Sequence, residues 1–380
     1  MRKTINIGDL GTIITGKTPP TTNKSYYGDY AVFIKPTDIS EQSKYTYETE
    51  EMYSKLAAEK YESSLIPKGA ICVPCIGTIG TKMTMAPCDC YTNQSINSII
   101  CNENYDNEYV YYLIKNFLPG LKAYNLGTAS GREYVSKSNF EKIELVAEQD
   151  KDIQKRIGVI LSRYDSLIEN YQKQIKLLEE AAQRLYKEWF VDLHFPGHES
   201  TNIVDGVPEG WEKKKVGEIA PIITGKKDAN FGTPDGEYPF FTCSQEPIKA
   251  PSFSFDCAAV LLAGNGDFNV KLYRGKFEAY QRTYVLSPYC AQHLYLLYYT
   301  ISANMTKLAA GSSGSTIKFL TKGMIDGINL NIPNDEILRS FNKKIEPIQS
   351  SREFLQSQLR LLTEARDRLL PKLMSGEITV

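Results

Sequence analysis

The sequence predicts a mixed α/β (α+β) protein with an internal pseudo-two-fold repeat, in which two globular domains are separated by two long antiparallel coiled-coil helices. Two repeated phrases indicate the repeat: GDLGTIITGK at 8–17 returns as GEIAPIITGK at 217–226, and LGTASG at 126–131 returns as AGSSGS at 310–315. A heptad pattern of apolar residues follows each copy. The anchors lie farther apart in the first copy, which predicts an insertion there between residues 18 and 126.

Short apolar runs rich in β-branched and aromatic residues predict the strands of each domain. These runs lie at 30–36, 70–76, 96–101, 238–242, 258–264 and 282–287, and helices are predicted at 108–117 and 291–307. Strands and helices do not alternate as a Rossmann sheet requires. The predicted boundaries are a first domain at 1–149, a central helical spacer at 150–192, a second domain at 193–333 and a C-terminal helical spacer at 334–380.

The two spacers share one apolar seam, whose steps alternate between four and three residues. This is the coiled-coil pattern and not the 3.6-residue period of an ordinary surface helix. The first seam consists of Ile157, Leu161, Tyr164, Ile168, Tyr171, Ile175, Leu178, Ala182, Leu185 and Trp189. The second consists of Phe341, Ile345, Ile348, Leu355, Leu359, Leu362, Leu369 and Leu373, with Arg352 and Arg366 as polar interruptions.

The order of the segments along the chain predicts that the helices run antiparallel. The first helix leads away from the first domain, and the second starts from the second domain and must run back. Pro347 is expected to kink or restart the second helix. The alternative arrangement is two amphipathic helices, each packed separately on its own domain.

Residues 11–18, GTIITGKT, match the G-x-x-x-x-G-K-T string of a phosphate-binding loop. The inner residues are β-branched and favour an extended strand. Pro19 and Pro20 remove backbone donors where a phosphate cradle needs them. The second copy, APIITGKK at 220–227, breaks the string. The stretch is therefore interpreted as a strand and turn shared by two domains.

The composition indicates where the protein is located and in which redox state its cysteines are. The chain has 380 residues and a net charge of −1, so charge alone indicates neither a nucleic-acid arm nor an acidic tail. No apolar run has the length of a transmembrane helix, and the N-terminus lacks the apolar core of a signal peptide. A cytoplasmic location is expected, and the eight cysteines are expected to be reduced thiols.

The sequence contains two groups of potential metal ligands, and neither predicts a metal site. Cys72-x-x-Cys75, followed by Cys88-x-Cys90, has a zinc-like spacing, but Cys72 and Cys75 should point to opposite faces of a strand. The pair His194 and His198 straddles a Pro-Gly step, where helical facing is lost, and is interpreted as a linker feature.

Several phrases resemble the specificity subunit of type I restriction–modification enzymes. They are VPEGWEKKKVGEI (207–219), LLPKLMSGEI (369–378), EWFVDLHFPG (188–197), GTIG (77–80) and NQS (93–95). The resemblance covers essentially the full chain. It implies two target recognition domains, each reading one half of a bipartite double-stranded DNA target, with helices that set the spacer between the half-sites.

The resemblance also implies the partners. The helices would dock two methyltransferase (modification) subunits, and two restriction/translocase subunits would join for cleavage. The subunit itself would not be a catalyst, and S-adenosylmethionine, ATP and Mg²⁺ would belong to the partner subunits, with no cofactor bound by this chain. The residues agree, because the chain lacks the N-P-P-[YF] tetrad of adenine methyltransferases. Two alternatives stay open: a coiled-coil protein–protein adaptor without direct DNA readout, and a stand-alone methyltransferase or ATPase.

Candidate DNA contacts are Arg, Lys, Asn and Gln for base edges, with Lys, Arg, Ser and Thr for phosphates. In the first domain they are Lys17, Thr18, Lys35, Thr78, Lys82, Asn93, Gln94, Ser130 and Arg132. In the second they are Lys226, Lys227, Asn265, Asn269, Lys271, Arg274, Gln281, Arg282, Ser312, Ser315 and Lys318. Residues 264–276, GNGDFNVKLYRGK, are predicted to form one loop with the composition of a nucleic-acid contact. Asn93 and Gln94 could instead be buried and satisfy strand ends. No catalytic or metal-binding residue is predicted.

Overall fold

The chain forms two compact units. The computed structural model describes residues 2–77, 79–127, 132–266, 268–312 and 318–380. Unit 1 comprises Met1–Lys173 and Leu355–Val380, and unit 2 comprises Gln174–Phe354.

Unit 1 contains ten strands and three short helices among its described residues. The strands are β1 (Arg2–Asn6), β2 (Gly11–Thr15), β3 (Tyr27–Gly28), β4 (Ala31–Ile34), β5 (Met52–Tyr53), β6 (Ile71–Pro74), β7 (Thr84–Met85), β8 (Tyr91–Thr92), β9 (Ile96–Cys101) and β10 (Glu144–Glu148). The helices are α1 (Lys55–Lys60), α2 (Asn107–Phe117) and α3 (Lys137–Glu141). Short 3-10 turns lie at Ile7–Leu10, Lys24–Tyr26, Glu62–Ser64 and Leu118–Tyr124.

The central sheet of unit 1 has the strand order β2-β9-β6-β7, and all its pairs are antiparallel. Every residue of β6 is buried, because apolar clusters cover both faces of this strand. A second sheet, β3-β5-β4-β8, contains one parallel pair, β4 with β8. β1 pairs with β10 and brings the start of the unit next to the strand that precedes the long helix.

A long helix, α4 (Lys151–Tyr186), starts in unit 1 and ends in unit 2, where a π-helical turn (Lys187–Val191) follows. The strands of unit 2 are β11 (Ile203–Val204), β12 (Val207–Pro208), β13 (Glu212–Lys215), β14 (Ile222–Thr224), β15 (Tyr238–Phe241), β16 (Ile248–Ala250), β17 (Phe255–Ala263), β18 (Val270–Ala279), β19 (Thr283–Leu286) and β20 (Asn329–Ile332). Its short helices are α5 (Val216–Ile219), α6 (Leu294–Gly311) and α7 (Lys322–Asp326), with 3-10 turns at His198–Ser200, Ala229–Phe231 and Ala291–His293. The last helix, α8 (Asp335–Ser375), starts in unit 2 and ends in unit 1.

The sheets confirm the predicted internal repeat. The order β14-β19-β17-β18 in unit 2 repeats β2-β9-β6-β7 of unit 1, and the pair β13–β20 repeats β1–β10. The parallel pair β15–β18 repeats β4–β8. Most of the insertion in the first copy lies between the lysine that ends the repeated phrase IITGK and the turn that follows β6, which corresponds to the turn after β17 in unit 2. This connection runs from Lys17 to Ile76 in unit 1 and only from Lys226 to Asn265 in unit 2.

The two long helices pair antiparallel, as predicted. In unit 1 the first half of α4 packs on the last half of α8, and Leu161 and Leu370 belong to one core cluster. In unit 2 the end of α4 packs on the start of α8, where Ala182 and Phe341 share a core cluster. All the seam residues named above are buried or half-buried. Their burial follows from the heptad spacing, which keeps one stripe facing the partner helix.

Pro347 was expected to kink or restart the second helix, and the restart is wrong, because α8 continues without interruption from Asp335 to Ser375. Pro347 is exposed, so the carbonyl that loses its helical donor can bind water instead. Within the described ranges, no helix combines the length and apolar character needed to cross a membrane.

Candidate nucleic-acid interface

The repeated phrase IITGK forms the end of a strand and a turn in both units. Gly16 follows β2, and its backbone N–H donates to the carbonyl of Ile96 at 3.2 Å. Gly225 follows β14, and its N–H donates to Thr283 at 3.1 Å. A Cβ atom on Gly16 would lie 2.1 Å from the carbonyl oxygen of Thr92, so only glycine fits this close approach. No helix follows Thr18 directly, which excludes a phosphate-binding loop.

Three further segments of unit 1 meet at this turn. Lys17 donates its backbone N–H to the carbonyl of Thr92 at 2.9 Å. Cys75, just after β6, donates to Ser95 at 2.7 Å and accepts from Val135 at 2.9 Å. The turns after β2, β6 and β8 and the segment 132–137 therefore form one group, which we call loop cluster 1.

Unit 2 builds the same group from equivalent bonds. Gly264, just after β17, donates to Arg282 at 2.8 Å and accepts from Leu320 at 2.8 Å. Gln281 donates its backbone N–H to the carbonyl of Lys227 at 2.9 Å. The turns at 225–228, 264–266 and 280–282, with the segment 318–322, form loop cluster 2. In both clusters the last segment caps a short helix, through Ser136 for α3 and Thr321 for α7.

The equivalent bonds align the two clusters residue by residue. Gln94 of cluster 1 corresponds to Gln281, so this glutamine is shared. Its neighbours differ, because Ser95 corresponds to Arg282 and Asn97 corresponds to Tyr284. Asn97 accepts a hydrogen bond from the hydroxyl of Thr15 at 2.7 Å, whereas the hydroxyl of Tyr284 donates to Leu320 at 3.0 Å. The same backbone frame thus carries different polar groups in the two units.

Loop cluster 2 encloses an open cleft of about 510 Å³. The cleft is lined by Thr224, Gly264, Gln281, Arg282, Tyr284, Phe319, Leu320, Thr321 and Lys322. Gln281 and Arg282 are among the predicted contacts, and both side chains are exposed. Thr224, Tyr284 and Lys322 were not predicted, since nothing local in their sequence marks them. Their common feature, a position next to a turn that repeats between the two copies, could have indicated them.

The predicted contacts of unit 1 fall into two groups. Lys17, Thr18, Gln94 and Arg132 are exposed in cluster 1, and Thr18 and Gln94 hydrogen bond to each other. Three others have a different setting. Asn93 is half-buried and accepts from the N–H of Ser95 at 3.1 Å, which stabilises the turn. The Lys35 ammonium pairs with Glu50 at 2.7 Å and Glu51 at 3.2 Å, outside the cluster. Lys82 is half-buried. Thr78 and Ser130 lie outside the described residues.

The predicted contacts of unit 2 divide in the same way. Lys226, Gln281, Arg282 and Lys318 are exposed in cluster 2, and the Gln281 amide donates to Asp228 at 3.2 Å. The Lys227 ammonium lies 4.3 Å from the centre of the Phe231 ring, a cation–π contact. Asn265 is half-buried and forms an isolated bridge with Phe319.

The predicted loop at 264–276 is wrong in its second half. Strand β18 begins at Val270, so only residues 264–269 connect it to β17. Asn269 is buried and donates to the carbonyl of Cys243 at 2.8 Å. Burial lowers the pKa of Lys271 to about 8. The Arg274 guanidinium contacts Glu346 at 3.1 Å and the hydroxyl of Tyr295 and so supports α8 instead of reaching the turns.

The remaining predicted contact with a described position is Ser312. Its hydroxyl donates to the carbonyl of Ala309 at 2.7 Å and closes the end of α6. Ser315 lies outside the described residues.

The cysteines and histidines do not assemble a metal centre in the described part of the chain. Cys72 and Cys75 belong to different core clusters on opposite sides of β6, as predicted. Burial raises the pKa of Cys72 to about 11 and that of Cys75 to about 12, which disfavours the thiolate form that binds zinc. His198 forms a hydrogen bond through Nδ1 to the carbonyl of Phe195 at 2.9 Å.

A protein-family comparison accounts for the two-fold plan. The model of the family described as "Type I restriction modification DNA specificity domain" matches twice, at residues 2–180 and 208–353. The chain belongs to this family. The two matched segments contain loop clusters 1 and 2, so each cluster lies in its own DNA specificity domain.

Individual proteins extend this likeness. The chain is 26% identical over 406 aligned positions to the type I restriction enzyme MjaIX specificity subunit of Methanocaldococcus jannaschii, covering 98% of the chain and 93% of that protein. It is 37% identical over 177 residues to the EcoDI specificity subunit of Escherichia coli, where the match covers 46% of the chain and only 40% of that protein. The crystal structure of the type I restriction-modification S subunit from M. genitalium has the same fold, with a TM-score of 0.66, 16% identity, and coverage of 98% of this chain and 96% of that one.

Proposed function

We propose that the chain is the sequence-specific DNA-recognition subunit of a type I restriction–modification complex. In this proposal loop clusters 1 and 2 each read one half of a bipartite double-stranded target. The observation that carries it is the shared backbone frame with exchanged polar groups. A common frame positions both clusters on the duplex in the same manner. Different side chains at the turns, such as the exposed Arg282 of unit 2 where unit 1 has Ser95, give each cluster its own base preference.

The chemistry of the two clusters supports this reading. Exposed lysines in both clusters suit phosphate contacts, which fix the register on DNA. Lys17 and Lys226 occupy equivalent positions after the repeated glycine, and both are exposed. Exposed glutamine and arginine side chains suit base edges in the major groove, where arginine prefers guanine and glutamine prefers adenine.

The helices have a second role in this proposal: they set the spacer between the half-sites and dock partner proteins. Outside the seam, several large apolar residues of α4 and α8 are exposed. They are Val159, Leu167, Leu177, Phe354 and Leu361, with exposed fractions from 43% to 61%. Such apolar side chains on a helix surface suit protein–protein contact. The partners are two methyltransferase subunits and two restriction/translocase subunits.

The chain is proposed to be non-catalytic. S-adenosylmethionine, ATP and Mg²⁺ would bind to the partner subunits. The support is the composition of the two loop clusters, whose exposed side chains are mostly amides, hydroxyls, lysines and arginines. These groups suit recognition of base edges and phosphates.

A domain exchange tests the division of labour. Residues 1–149 would be replaced by the equivalent domain of a relative with a known target, and the chain expressed with its methyltransferase partner. Sequencing of methylated adenines should show one half of the target changed and the other retained. The reciprocal exchange of residues 193–333 is the matched control and should change only the other half. A change of both halves in either chimaera would contradict the proposal.

A further inference from the structure

Two buried ion pairs link α4 to α8, one in each unit. In unit 1 the Arg366 guanidinium contacts Asp165 at 2.6 Å, and the two side chains are only 8% and 5% exposed. The hydroxyl of Tyr112 donates to the other oxygen of Asp165 at 2.5 Å. In unit 2 Arg352, 10% exposed, pairs with Glu179, which is 23% exposed and half-buried, and Arg352 also donates to the hydroxyl of Tyr298 at 3.1 Å. Both arginines stand at seam positions where the heptad pattern calls for an apolar residue.

The two pairs occupy the same antiparallel register. Asp165 and Glu179 are two heptads apart on α4, and Arg352 and Arg366 are two heptads apart on α8. Moving two heptads forward on α4, from Asp165 to Glu179, therefore corresponds to moving two heptads back on α8, from Arg366 to Arg352. Gln172 on α4 and Leu359 on α8 are the positions midway between them in this register, and we call these two positions the middle layer. We call the two ion pairs polar layers 1 and 2, for unit 1 and unit 2.

The geometry points to a role for polar layers 1 and 2 in specifying how the helices pair, which we call the pairing code. The two layers favour pairing of α4 with α8 of the same chain in one register. They disfavour slipped registers, and they disfavour pairing of like helices from two copies. The apolar seam alone cannot make this selection, because it recurs at every heptad and in both helices. Buried charges can, because an ion left in the interior without its partner is strongly unfavourable. A single buried polar position is known to specify coiled-coil register in this way.

Slipped registers are excluded by both layers together. A shift of one heptad in either direction places Asp165 against Leu359 or Leu373, and Glu179 against Ile345 or Leu359. A shift of two heptads restores one cross-pair, Arg366 with Glu179 or Arg352 with Asp165, but leaves the other acid without an arginine. One layer would therefore tolerate a two-heptad slip, whereas two layers do not.

Pairing of like helices is excluded by the distribution of charge. Both acids lie on α4 and both arginines on α8. The repeat would let α4 pair with α4 of a second copy in the equivalent register, where Asp165 would face Ala182 and Glu179 would face Ile168. Two copies of α8 would place Arg366 against Gln349 and Arg352 against Thr363. An α4–α4 pair would leave both acids without an arginine. An α8–α8 pair would leave Arg352 without Glu179, and Arg366 would keep only its neighbour Asp367, at 2.8 Å. Only α4 with α8 therefore satisfies both layers.

A disulfide reporter in the full chain tests the code without DNA. Gln172→Cys and Leu359→Cys occupy the middle layer, in a chain whose exposed Cys88 and Cys290 are changed to Ser. With both layers intact, oxidation should give an intramolecular disulfide in a monomer. Reversing the acids alone, with Asp165→Arg and Glu179→Arg, should lower the yield of that disulfide at least tenfold. Adding Arg352→Glu and Arg366→Asp should restore the yield to within twofold of the parent.

An apolar variant separates pairing specificity from stability. Leucine at all four positions should leave the melting temperature equal or higher, because apolar groups can replace buried ion pairs. It should nevertheless lower the yield of the intramolecular disulfide and give disulfide-linked dimers, resolved by mass spectrometry. An unchanged, purely intramolecular disulfide in this variant, or no recovery after charge reversal, would overturn the inference. If the chain with only the acids reversed does not fold, the chain with all four charges reversed still tests the inference, because it should recover the disulfide.

The consequence for DNA rests on the proposed function. With the methyltransferase partner, the parent and the charge-reversed chain should methylate sites of one spacer length, and the apolar variant should methylate sites of more than one. A single spacer in the apolar variant, despite scrambled disulfides, would overturn the link from register to spacer. If the parent itself gave no sequence-specific methylation, the proposed function would fail, and the disulfide result would still decide the pairing code.

Discussion

Gly225 closes the turn of IITGK in unit 2, and its replacement tests why the phrase repeats. A Cβ atom there would lie 1.9 Å from the carbonyl oxygen of Ala279 and 2.6 Å from that of Tyr280, both backbone atoms. We expect Gly225→Ala to destabilise the chain by about 1–3 kcal/mol, because the turn must move away from its neighbour. Thermal melting should show a drop of roughly 2–4 °C per kcal/mol. Gly323→Ala is the control, because nothing lies within 4 Å of its Cβ position.

Arg282 is an exposed residue at which the two clusters differ in charge, because unit 1 has Ser95 at the equivalent position. Arginine reads guanine through a bidentate contact, and a good contact of this kind contributes about 1–3 kcal/mol of discrimination. We expect Arg282→Ala to relax the preference at one position of one half-site, by roughly tenfold to a hundredfold in the relative methylation of matched and mismatched sites. Arg339→Ala, which removes an exposed arginine paired with Asp335 on α8, should leave the preference intact. Equal relaxation in both variants would remove Arg282 from base readout.

Residue type identified several candidates correctly, but it could not show whether a candidate side chain is free to contact DNA. Lys17 and Lys226 end the repeated phrase IITGK, and Gln94 and Arg282 were candidates by residue type. The structure exposes all four in the clusters. Lys35 and Arg274 have the right chemistry, but their charges are paired. The partner of Arg274, Glu346, lies far away in the sequence, so the pairing could not be read locally.

At the scale of elements, Pro347 is the clearest conflict between local preference and tertiary packing. It interrupts the hydrogen bonding of α8, yet Ile345 and Ile348 on either side are packed into the core of unit 2. We expect Pro347→Ala to raise stability, by up to about 3 kcal/mol, because alanine restores the missing donor. The control Ser351→Ala, at another exposed position of α8, should change stability by only about 0.5 kcal/mol or less. A lower melting temperature for Pro347→Ala would show that the proline fits a bend the pairing requires.

Periodicity predicted the helices and central strands well, and it failed where the two copies diverge. The heptad seam predicted both long helices correctly because the pattern extends over many turns. The sheet β3-β5-β4-β8 was mostly missed, since its strands are short and the corresponding connection in unit 2 is shorter. It is stabilised by aromatic packing instead: the rings of Tyr53 and Tyr91 stack at 4.6 Å, and Phe33 lies at the same distance from Tyr53. Such contacts leave no periodic signal.

At the scale of the whole molecule, the balance of charge limits how the chain can bind DNA. A net charge of −1 gives no general attraction to a polyanion, so any phosphate contact must come from local groups of lysine and arginine or from partners. Loop cluster 2 contains Lys226, Lys318, Lys322 and Arg282, and the last two of these line its cleft. The affinity of the complex should therefore depend on a small number of identifiable cations.

Salt dependence measures that number. Each phosphate neutralised by the protein contributes about −0.9 to the slope of log K against log salt concentration. We expect Lys226→Gln, Lys318→Gln and Lys322→Gln each to reduce the magnitude of the slope by about 1, with little change in which sequence is preferred. Binding of the chain with its methyltransferase partner to a duplex bearing the mapped target, at several salt concentrations, gives the slope directly. Lys343→Gln, an exposed lysine of α8, is the matched control. If its slope fell as much as that of the cluster variants, the phosphate contacts would be spread over the helices and not concentrated at the cleft.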